Sequence, residues 1–189
     1  MKNTDSILPP ETANRRGRSF KHWAGAVLLA IFLVGMLWPE HPVIPVQGGT
    51  ASYWNPRAFW AYPWGKSGVH KGIDIFAPKG RPVLAATPGV VLFTGRLSLG
   101  GNVICLLGPG WKVQYYAHLD SVDVFMGQPV CTGQTIGAVG QTGNAANTPP
   151  HLHFSLMTLI PYPWRIDDSP RGWLKMFYLD PGRWLGGST

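Results

Sequence analysis

Short apolar runs separated by turns rich in glycine and proline fill the chain from residue 70 to residue 158. The 24 glycines and 18 prolines among 189 residues, with only 13% charged residues, disfavour long helices in this region. Runs this short and this regularly spaced are typical of strands in an all-β sandwich or barrel-like sheet. We therefore predict an all-β fold here, built as an antiparallel β-sandwich or sheet.

The individual strands can be assigned from the turns that bound them. A Thr87-Pro88-Gly89 turn and a Gly108-Pro109-Gly110 turn each lie between two apolar runs, so each is predicted to close a hairpin. The last strand follows a loop rich in Gly, Asn, Thr and Pro. The predicted strands span residues 82–86, 90–94, 102–107, 111–118, 134–139 and 151–157. A short helix is expected near residues 171–177.

The N-terminal part of the chain differs in composition from the rest. Residues 1–22 are polar and basic and are predicted to be a disordered tail. Residues 23–38 carry no charge and have tryptophan at both ends, which suits a membrane span, although such spans typically need about 17–25 residues. We predict an uncleaved transmembrane anchor with the basic N-terminus in the cytoplasm. A cleaved signal peptide is the first alternative, but no small-x-small cleavage site follows residue 38. A buried core helix is the second alternative.

Two segments about eighty residues apart hold four groups able to bind or serve a metal: His70 and Asp74, then His151 and His153. Because side chains alternate faces along a strand, His151 and His153 point the same way. Straight strand would separate His70 from Asp74 by roughly 13 Å, so we expect a bend at Lys71-Gly72, where glycine tolerates unusual backbone angles. Two ring nitrogens and one carboxylate oxygen, with one position left open, form the pattern of a catalytic zinc site.

The chain offers few candidates for a general base. Its only glutamates, Glu11 and Glu40, precede the region predicted to fold, so the His-Glu-x-x-His motif of other metallopeptidases is absent. In a zinc hydrolase of this sequence, proton transfer would fall to histidine, whose pKa lies near neutrality. Beyond a ligand set of two histidines and one aspartate, His118 and either His151 or His153 remain for this work.

Charge and cysteine content exclude some other functions. The net charge of +7 is spread along the chain, without a basic stripe interleaved with aromatics, so nucleic-acid binding is not expected. Attraction to an acidic polymer is compatible with this charge. Two cysteines, Cys105 and Cys131, are too few for a disulfide scaffold. They are interpreted either as small buried residues or as one disulfide, and the sequence leaves both open.

Eight segments between residues 65 and 160 together carry a specific family resemblance. They are HKGIDI at 70–75, PVLAA at 82–86, GVV at 89–91, YAHL at 116–119, GQPV at 127–130, GQTIG at 133–137, VGQTGN at 139–144 and PHLHF at 150–154. With these segments the chain resembles the lysostaphin-type (LytM-like) zinc metallopeptidases, which cut peptide bonds in bacterial cell-wall peptidoglycan. The resemblance implies a β-sheet with a catalytic groove bordered by loops.

The resemblance also implies a role for each candidate site residue. His70, Asp74 and His153 would be the ligands of one zinc ion, and His118 and His151 would be an unliganded catalytic pair. His151 is expected to be the general base, and His118 is expected to assist it or to hold the oxyanion. Zinc would lower the pKa of its bound water to about 7 and polarise the scissile carbonyl.

These inferences lead to an expected organisation of the whole chain. It comprises a cytoplasmic tail at 1–22, a transmembrane anchor at 23–38, a linker at 39–52, a zinc peptidase domain at 53–160 and a C-terminal extension at 161–189. The protein is expected to cross the inner (cytoplasmic) membrane once and to place the peptidase domain in the periplasm or outside. Peptidoglycan peptides would be its substrate. The extension either shapes the groove or covers a sheet edge, and we favour the second.

Two other functions are alternatives to hydrolysis. Some proteins of this type have lost metal ligands and act as non-enzymatic regulators that activate other wall hydrolases, but here all five expected positions are intact. A purely structural zinc site usually has four protein ligands, often cysteines, and neither cysteine is near a histidine motif.

The aromatic residues of 52–66 either line the groove or pack as a lid on the sheet, and we favour the lid.

Overall fold

The computed structural model describes the backbone of residues 13–186 and the side chains from residue 22 onward. These residues divide after Leu37 into two units, and the first contains one helix, α1, Ala13–Leu37. The predicted disordered tail is therefore wrong for residues 13–22, where no proline interrupts the helix, while residues 1–12 lie outside the described part. Among residues 13–186, no helix has both the length and the apolar character needed to cross a membrane. The predicted transmembrane helix is thus not supported.

The second unit begins at Trp38 and consists mainly of short strands. The strands are β1 Ile73–Phe76, β2 Pro82–Leu84, β3 Gly89–Leu97, β4 Gly101–Gly108, β5 Lys112–Leu119, β6 Ser121–Val122, β7 Pro129–Val130, β8 Thr135–Ala138, β9 His151–Thr158 and β10 Tyr178–Leu179. Short 3₁₀ helices span Ala51–Tyr53, Gly65–Ser67, Pro109–Trp111, Gly143–Ala145, Pro163–Arg165 and Gly172–Met176, and a short helix, α2, spans Pro181–Gly186. The predicted helix near residues 171–177 is therefore observed as a 3₁₀ helix.

All strand pairs in the described residues are antiparallel, which confirms the predicted mostly-β antiparallel fold. The larger sheet has the order β1-β9-β5-β4-β3-β7, and β10 pairs with the C-terminal half of β9. The smaller sheet has the order β2-β8-β6. Strand β9 thus has β5 on one side, and β1 and β10 share its other side.

One of the two predicted hairpins forms and the other does not. Strands β4 and β5 pair across the Gly-Pro-Gly turn as predicted, but β2 and β3 lie in different sheets. The chain changes sheet at Thr87, whose buried hydroxyl accepts a 2.6 Å hydrogen bond from Gln114 Nε2. The Tyr116 hydroxyl adds two more bonds, donating to Gln114 Oε1 and accepting from the Ala86 amide. This buried network fixes the corner where a hairpin turn was expected.

The core lies between the two sheets and uses one face of β1 and β9. Ile73, Ile75, Leu152 and Phe154 are fully buried there, and burying each such side chain is worth roughly 1.5–3 kcal/mol. Because strand side chains alternate, burial of this face turns His151, His153 and Ser155 to the opposite face. The apolar pattern of β9 therefore determines the direction of its histidines.

Segments on both sides of the strand region also pack in this unit. Val46, in the stretch for which a linker was expected, is buried and bridges to Val83 of β2. Glu40 forms an ion pair with Lys112 and accepts a 2.7 Å hydrogen bond from the Trp184 indole. Cys105 and Cys131 are both free, and Cys131 is exposed, so the structure contains no disulfide between them.

Candidate metal centre

Two neighbouring strands bring together the residues singled out from the sequence. In the pairing of β1 with β9, Asp74 lies opposite His153, while His70 precedes β1. Gly72 lies between His70 and Asp74, and a Cβ atom built on it would lie 2.4 Å from the Phe154 carbonyl oxygen. Glycine is therefore required here because the backbone approaches β9 closely, and not because of an unusual backbone angle.

Three side chains converge on one point at the end of this strand pair. His70 Nε2 lies 3.1 Å from Asp74 Oδ1, and His153 Nδ1 lies 2.8 Å from the same oxygen. The two ring nitrogens are 3.1 Å apart. His70 is buried, and Asp74 and His153 are nearly so. These two nitrogens and one oxygen lie close enough together to hold a metal ion.

Hydrogen bonds outside the cluster determine which ring nitrogen of each histidine is available to it. His70 Nδ1 lies 3.0 Å from the Ala58 carbonyl, so it carries the hydrogen and leaves Nε2 for the cluster. His153 is oriented the other way, with Nε2 2.9 Å from Ser155 Oγ and Nδ1 in the cluster. Fixed rings of this kind are typical of metal ligands, whose second nitrogen usually donates to a nearby acceptor.

The surroundings also set the charge of the carboxylate. Burial raises the pKa of Asp74, but the contacts of its carboxylate with the His153 and His70 rings outweigh burial and hold this pKa well below its usual range. Asp74 is therefore ionised at neutral pH and supplies a negative charge to the cluster. Burial lowers the pKa of His153, so this imidazole is neutral, as a metal ligand must be.

His118 and His151 lie beside the cluster. His151 Nε2 is 3.9 Å from Asp74 Oδ1, and the rings of His118 and His151 are 5.0 Å apart between centroids. His118 Nδ1 donates to the Thr142 carbonyl at 2.9 Å and His151 Nδ1 to the Pro149 carbonyl at 2.8 Å. Both rings thus present Nε2 away from these carbonyls, toward the same cavity as the cluster.

The backbone of His118 has an uncommon conformation. Its φ is 65°, in the left-handed region that few non-glycine residues occupy, at the point where β5 ends and its pairing with β4 shifts register. Burial, together with the charges of His153 and His151, lowers the pKa of His118 to about 4, so its ring is neutral at pH 7. Strained residues of this kind cluster at functional sites.

The cluster and the two further histidines line one cavity of about 640 Å³, which is large enough for several residues of a peptide. Trp64 stacks on the His70 ring at 4.2 Å between centroids and forms part of the wall. Lys71 lines the cavity as well. Burial, with a smaller repulsion from Arg171, lowers the pKa of its ammonium group. Tyr178 of β10 also lines it, so the C-terminal extension both pairs with a sheet edge and shapes the cavity.

Sequence reasoning did not identify several residues of the site. Trp64 belonged to the aromatic group favoured as a lid, and within that group Trp54 is indeed buried while Trp64 faces the cavity. Ser155 lies two residues after His153 on the same strand, so strand alternation directs both side chains to one face. This period of two could have identified Ser155 from the sequence. The backbone carbonyls of residues 58, 142 and 149 could not be identified as acceptors from the sequence, because every residue type has a backbone carbonyl.

The residues present fit a zinc ion by their donor chemistry. Imidazole nitrogen and carboxylate oxygen are zinc ligands, and a set of three leaves a fourth position for water or substrate. The two cysteines do not join the cluster, since Cys131 is exposed and the group of residues that could hold a metal is His70, Asp74 and His153.

Comparison with known proteins identifies the family. The protein-family model described as Peptidase family M23 matches residues 68–162 of this chain. Glycyl-glycine endopeptidase ALE-1 of Staphylococcus capitis is 39% identical over 110 residues, which are 57% of this chain and 30% of that protein. DD-carboxypeptidase/endopeptidase Mpg of Neisseria meningitidis serogroup B is 41% identical over 86 residues, which are 46% of this chain and 19% of that protein. This chain thus spans less than a third of the length of either relative.

A solved structure gives the same result for the fold. The catalytic domain of the antimicrobial peptidase lysostaphin from Staphylococcus simulans superposes with a TM-score of 0.57 at 32% identity, covering 74% of this chain and 99% of that one. The family resemblance inferred from the sequence motifs is therefore confirmed. Since the family match covers half of the chain and includes all five candidate site residues, the chain belongs to peptidase family M23, a family of zinc metallopeptidases.

Proposed function

We propose that this protein is a zinc metalloendopeptidase that hydrolyses peptide bonds in bacterial peptidoglycan. The observation that carries the proposal is the convergence of a His-Asp-His cluster and two further histidines on one cavity. The names of its relatives support the substrate class, because ALE-1 is a glycyl-glycine endopeptidase and Mpg is a DD-carboxypeptidase/endopeptidase.

In the proposed mechanism, His70, Asp74 and His153 hold one zinc ion. Zinc in such a site lowers the pKa of bound water to about 7 and polarises the carbonyl of the bond to be cut. The buried Asp74 carboxylate compensates part of the positive charge, and the carbonyl of residue 58 and the hydroxyl of Ser155 keep both rings in place. The chain itself thus provides the ligands and their orientation.

The proton transfers are assigned to His151 and His118. The Nδ1 hydrogen of His151 is donated to the carbonyl of residue 149, which leaves Nε2 facing the cavity, so we assign His151 to remove the proton from the attacking water. His118 is held in the same way and is assigned to assist it. Holding a developing oxyanion would require His118 to carry a second proton, because its Nδ1 hydrogen is already engaged.

Digestion of purified peptidoglycan tests this function. We expect the zinc-loaded protein to release new amino and carboxyl ends from walls of at least one cross-link type, detected by mass spectrometry of the fragments. A chelator should abolish release, and added zinc should restore it. A protein that binds zinc and wall polymer yet cuts none of the wall types would instead fit the alternative role of a non-enzymatic activator of other hydrolases.

We further propose that the peptidase unit acts outside the cytoplasm, attached to the inner membrane through residues 23–38. The uncharged run and the basic residues that precede it support this proposal. A reporter active only outside the cytoplasm, fused after residue 45, should be active and should remain with the membrane fraction. The same fusion without residues 1–38 is the control and should be inactive. A mature protein that starts near residue 40 would contradict the anchor and indicate a cleaved signal peptide.

A further inference from the structure

One wall of the cavity carries a cation that has no carboxylate partner among residues 22–186. Lys71 follows the cluster residue His70 and lines the same cavity. Its ammonium group donates to the carbonyl of residue 67 at 3.3 Å, and the ion pairs in this part of the chain do not include it. A lysine charge at a cavity wall that no carboxylate offsets offers a place for an anionic group of a ligand.

A second cation, Arg171, lies near Lys71 without itself lining the cavity. The guanidinium of Arg171 packs on Gly68, where an added Cβ would lie 2.8 Å from Arg171 Nε. Its positive charge is close enough to repel that of Lys71. Arg171 belongs to the C-terminal extension, outside the matched family region, and the neighbouring carbonyl of residue 170 accepts a 3.1 Å hydrogen bond from Trp60. Two neighbouring cations repel each other until an anion joins them.

The remaining lining of the cavity does not offset these charges. Asp74 is the only carboxylate among the lining residues, and its oxygen belongs to the metal cluster. The other lining side chains are histidines or uncharged residues. A divalent ion in the cluster would exceed the charge of Asp74, so with Lys71 the loaded cavity would carry a net positive charge and would attract anionic ligands.

We propose that Lys71, assisted by Arg171, binds a free carboxylate that the substrate peptide carries next to the bond to be cut. The preferred substrate class is therefore an acidic peptide with such a carboxylate, over a neutral peptide such as a run of glycines. This inference rests on the proposed peptidase function and names the substrate feature that its cavity recognises. A half-solvated ammonium–carboxylate contact of this kind contributes roughly five- to tenfold in affinity.

Equilibrium binding to the zinc-loaded full chain tests the site without relying on turnover. Two synthetic wall peptides should be compared that differ only in a carboxylate or a carboxamide beside the bond to be cut. We expect the acid to bind roughly five- to tenfold more tightly at low salt, and this preference to shrink as salt is raised. Lys71→Met should reduce the preference to nearly one, Lys71→Arg should keep most of it, and Arg171→Gln should lower it by roughly twofold.

Lys66→Met is the matched control, because Lys66 is an exposed lysine of the same loop that does not line the cavity. Lys66→Met should keep the full preference for the acid over the amide. Zinc content should be measured for every variant, because a variant that lost only the charge keeps its zinc and a variant with a damaged metal cluster does not. Equal binding of acid and amide by the unaltered protein, or an unchanged preference in Lys71→Met with normal zinc content, would overturn the inference. If the acid is preferred but no peptidoglycan is cut, the carboxylate site stands and the proposed peptidase function fails.

Discussion

The nitrogen of His153 that faces away from the metal cluster contacts a side-chain hydroxyl. His70, His118 and His151 each direct Nδ1 at a backbone carbonyl, whereas His153 alone uses Nε2, and its partner is Ser155 Oγ at 2.9 Å. A backbone carbonyl cannot be removed by substitution, but this hydroxyl can. Ser155 is therefore inferred to be a positioning residue that keeps Nδ1 of His153 directed into the cluster that would hold the metal.

Replacement of Ser155 by alanine tests this inference. We expect Ser155→Ala to weaken zinc binding by about 10- to 100-fold, the usual effect of losing a hydrogen bond to a ligand ring. Competition with a chelator of known affinity measures it. Ser155→Thr keeps the hydroxyl and should bind zinc nearly as well as the unaltered protein. Equal zinc affinity in the alanine and threonine variants would contradict the assigned role.

The sequence was informative about residues whose side chains do the chemistry and less so about those that hold them. Alternation along a strand correctly predicted that His151 and His153 share a face, because the period of two follows from backbone geometry alone. The bend at Lys71-Gly72 was expected for the angles that glycine tolerates, but Gly72 is needed for its close approach to Phe154. Such contacts involve a residue distant in sequence, so the local pattern does not contain them.

Strand pairing shows the same limit for larger elements. The sequence located most strands correctly, since the turns that bound them have a distinct composition, yet it wrongly paired β2 with β3. A proline-glycine turn is compatible with a hairpin and with a crossing between sheets. The choice here depends on the buried contact of Thr87 with Gln114, which comes from another strand. Tertiary contacts of this kind decide topology when the local turn signal is ambiguous.

Besides its pairing with β9, the short strand β10 packs against Trp60. Its ring lies 6.0 Å from the Tyr178 ring and beneath Lys175 Nζ, and its indole bonds to the carbonyl of residue 170. Trp60→Ala should cost the extension about 1–2 kcal/mol of local stability. Amide hydrogen exchange at Tyr178 and Leu179 should accelerate by roughly five- to thirtyfold as a result.

Trp164, a tryptophan of the C-terminal extension, provides the control for this prediction. Trp164 is 78% exposed, so Trp164→Ala removes a similar side chain without releasing β10. Exchange at Tyr178 in this variant should remain close to that of the unaltered protein. Equal acceleration in both variants would show that Trp60 does not hold the strand specifically.

At the scale of the whole molecule, the site is assembled from one continuous region. All five candidate residues lie between residues 70 and 153, within the family match, and the flanking segments add walls such as Trp64 and Tyr178 and the residue 58 carbonyl that orients His70. The motifs could therefore be recognised from the sequence with their order and spacing intact. The contribution of the C-terminal extension to the cavity wall could not be predicted, because it depends on how residues 163–179 return to the sheet.

Two histidines on one strand face, His151 and His153, are assigned different roles. Zinc content measured beside the rate of peptidoglycan cleavage tests this assignment most directly. His153→Ala removes one of three ligands, so its zinc content should fall sharply. His151→Ala should keep its zinc and its fold while turnover drops by roughly 10²- to 10⁴-fold, the usual contribution of a positioned proton-transfer group. Loss of zinc from His151→Ala together with full zinc in His153→Ala would contradict the account.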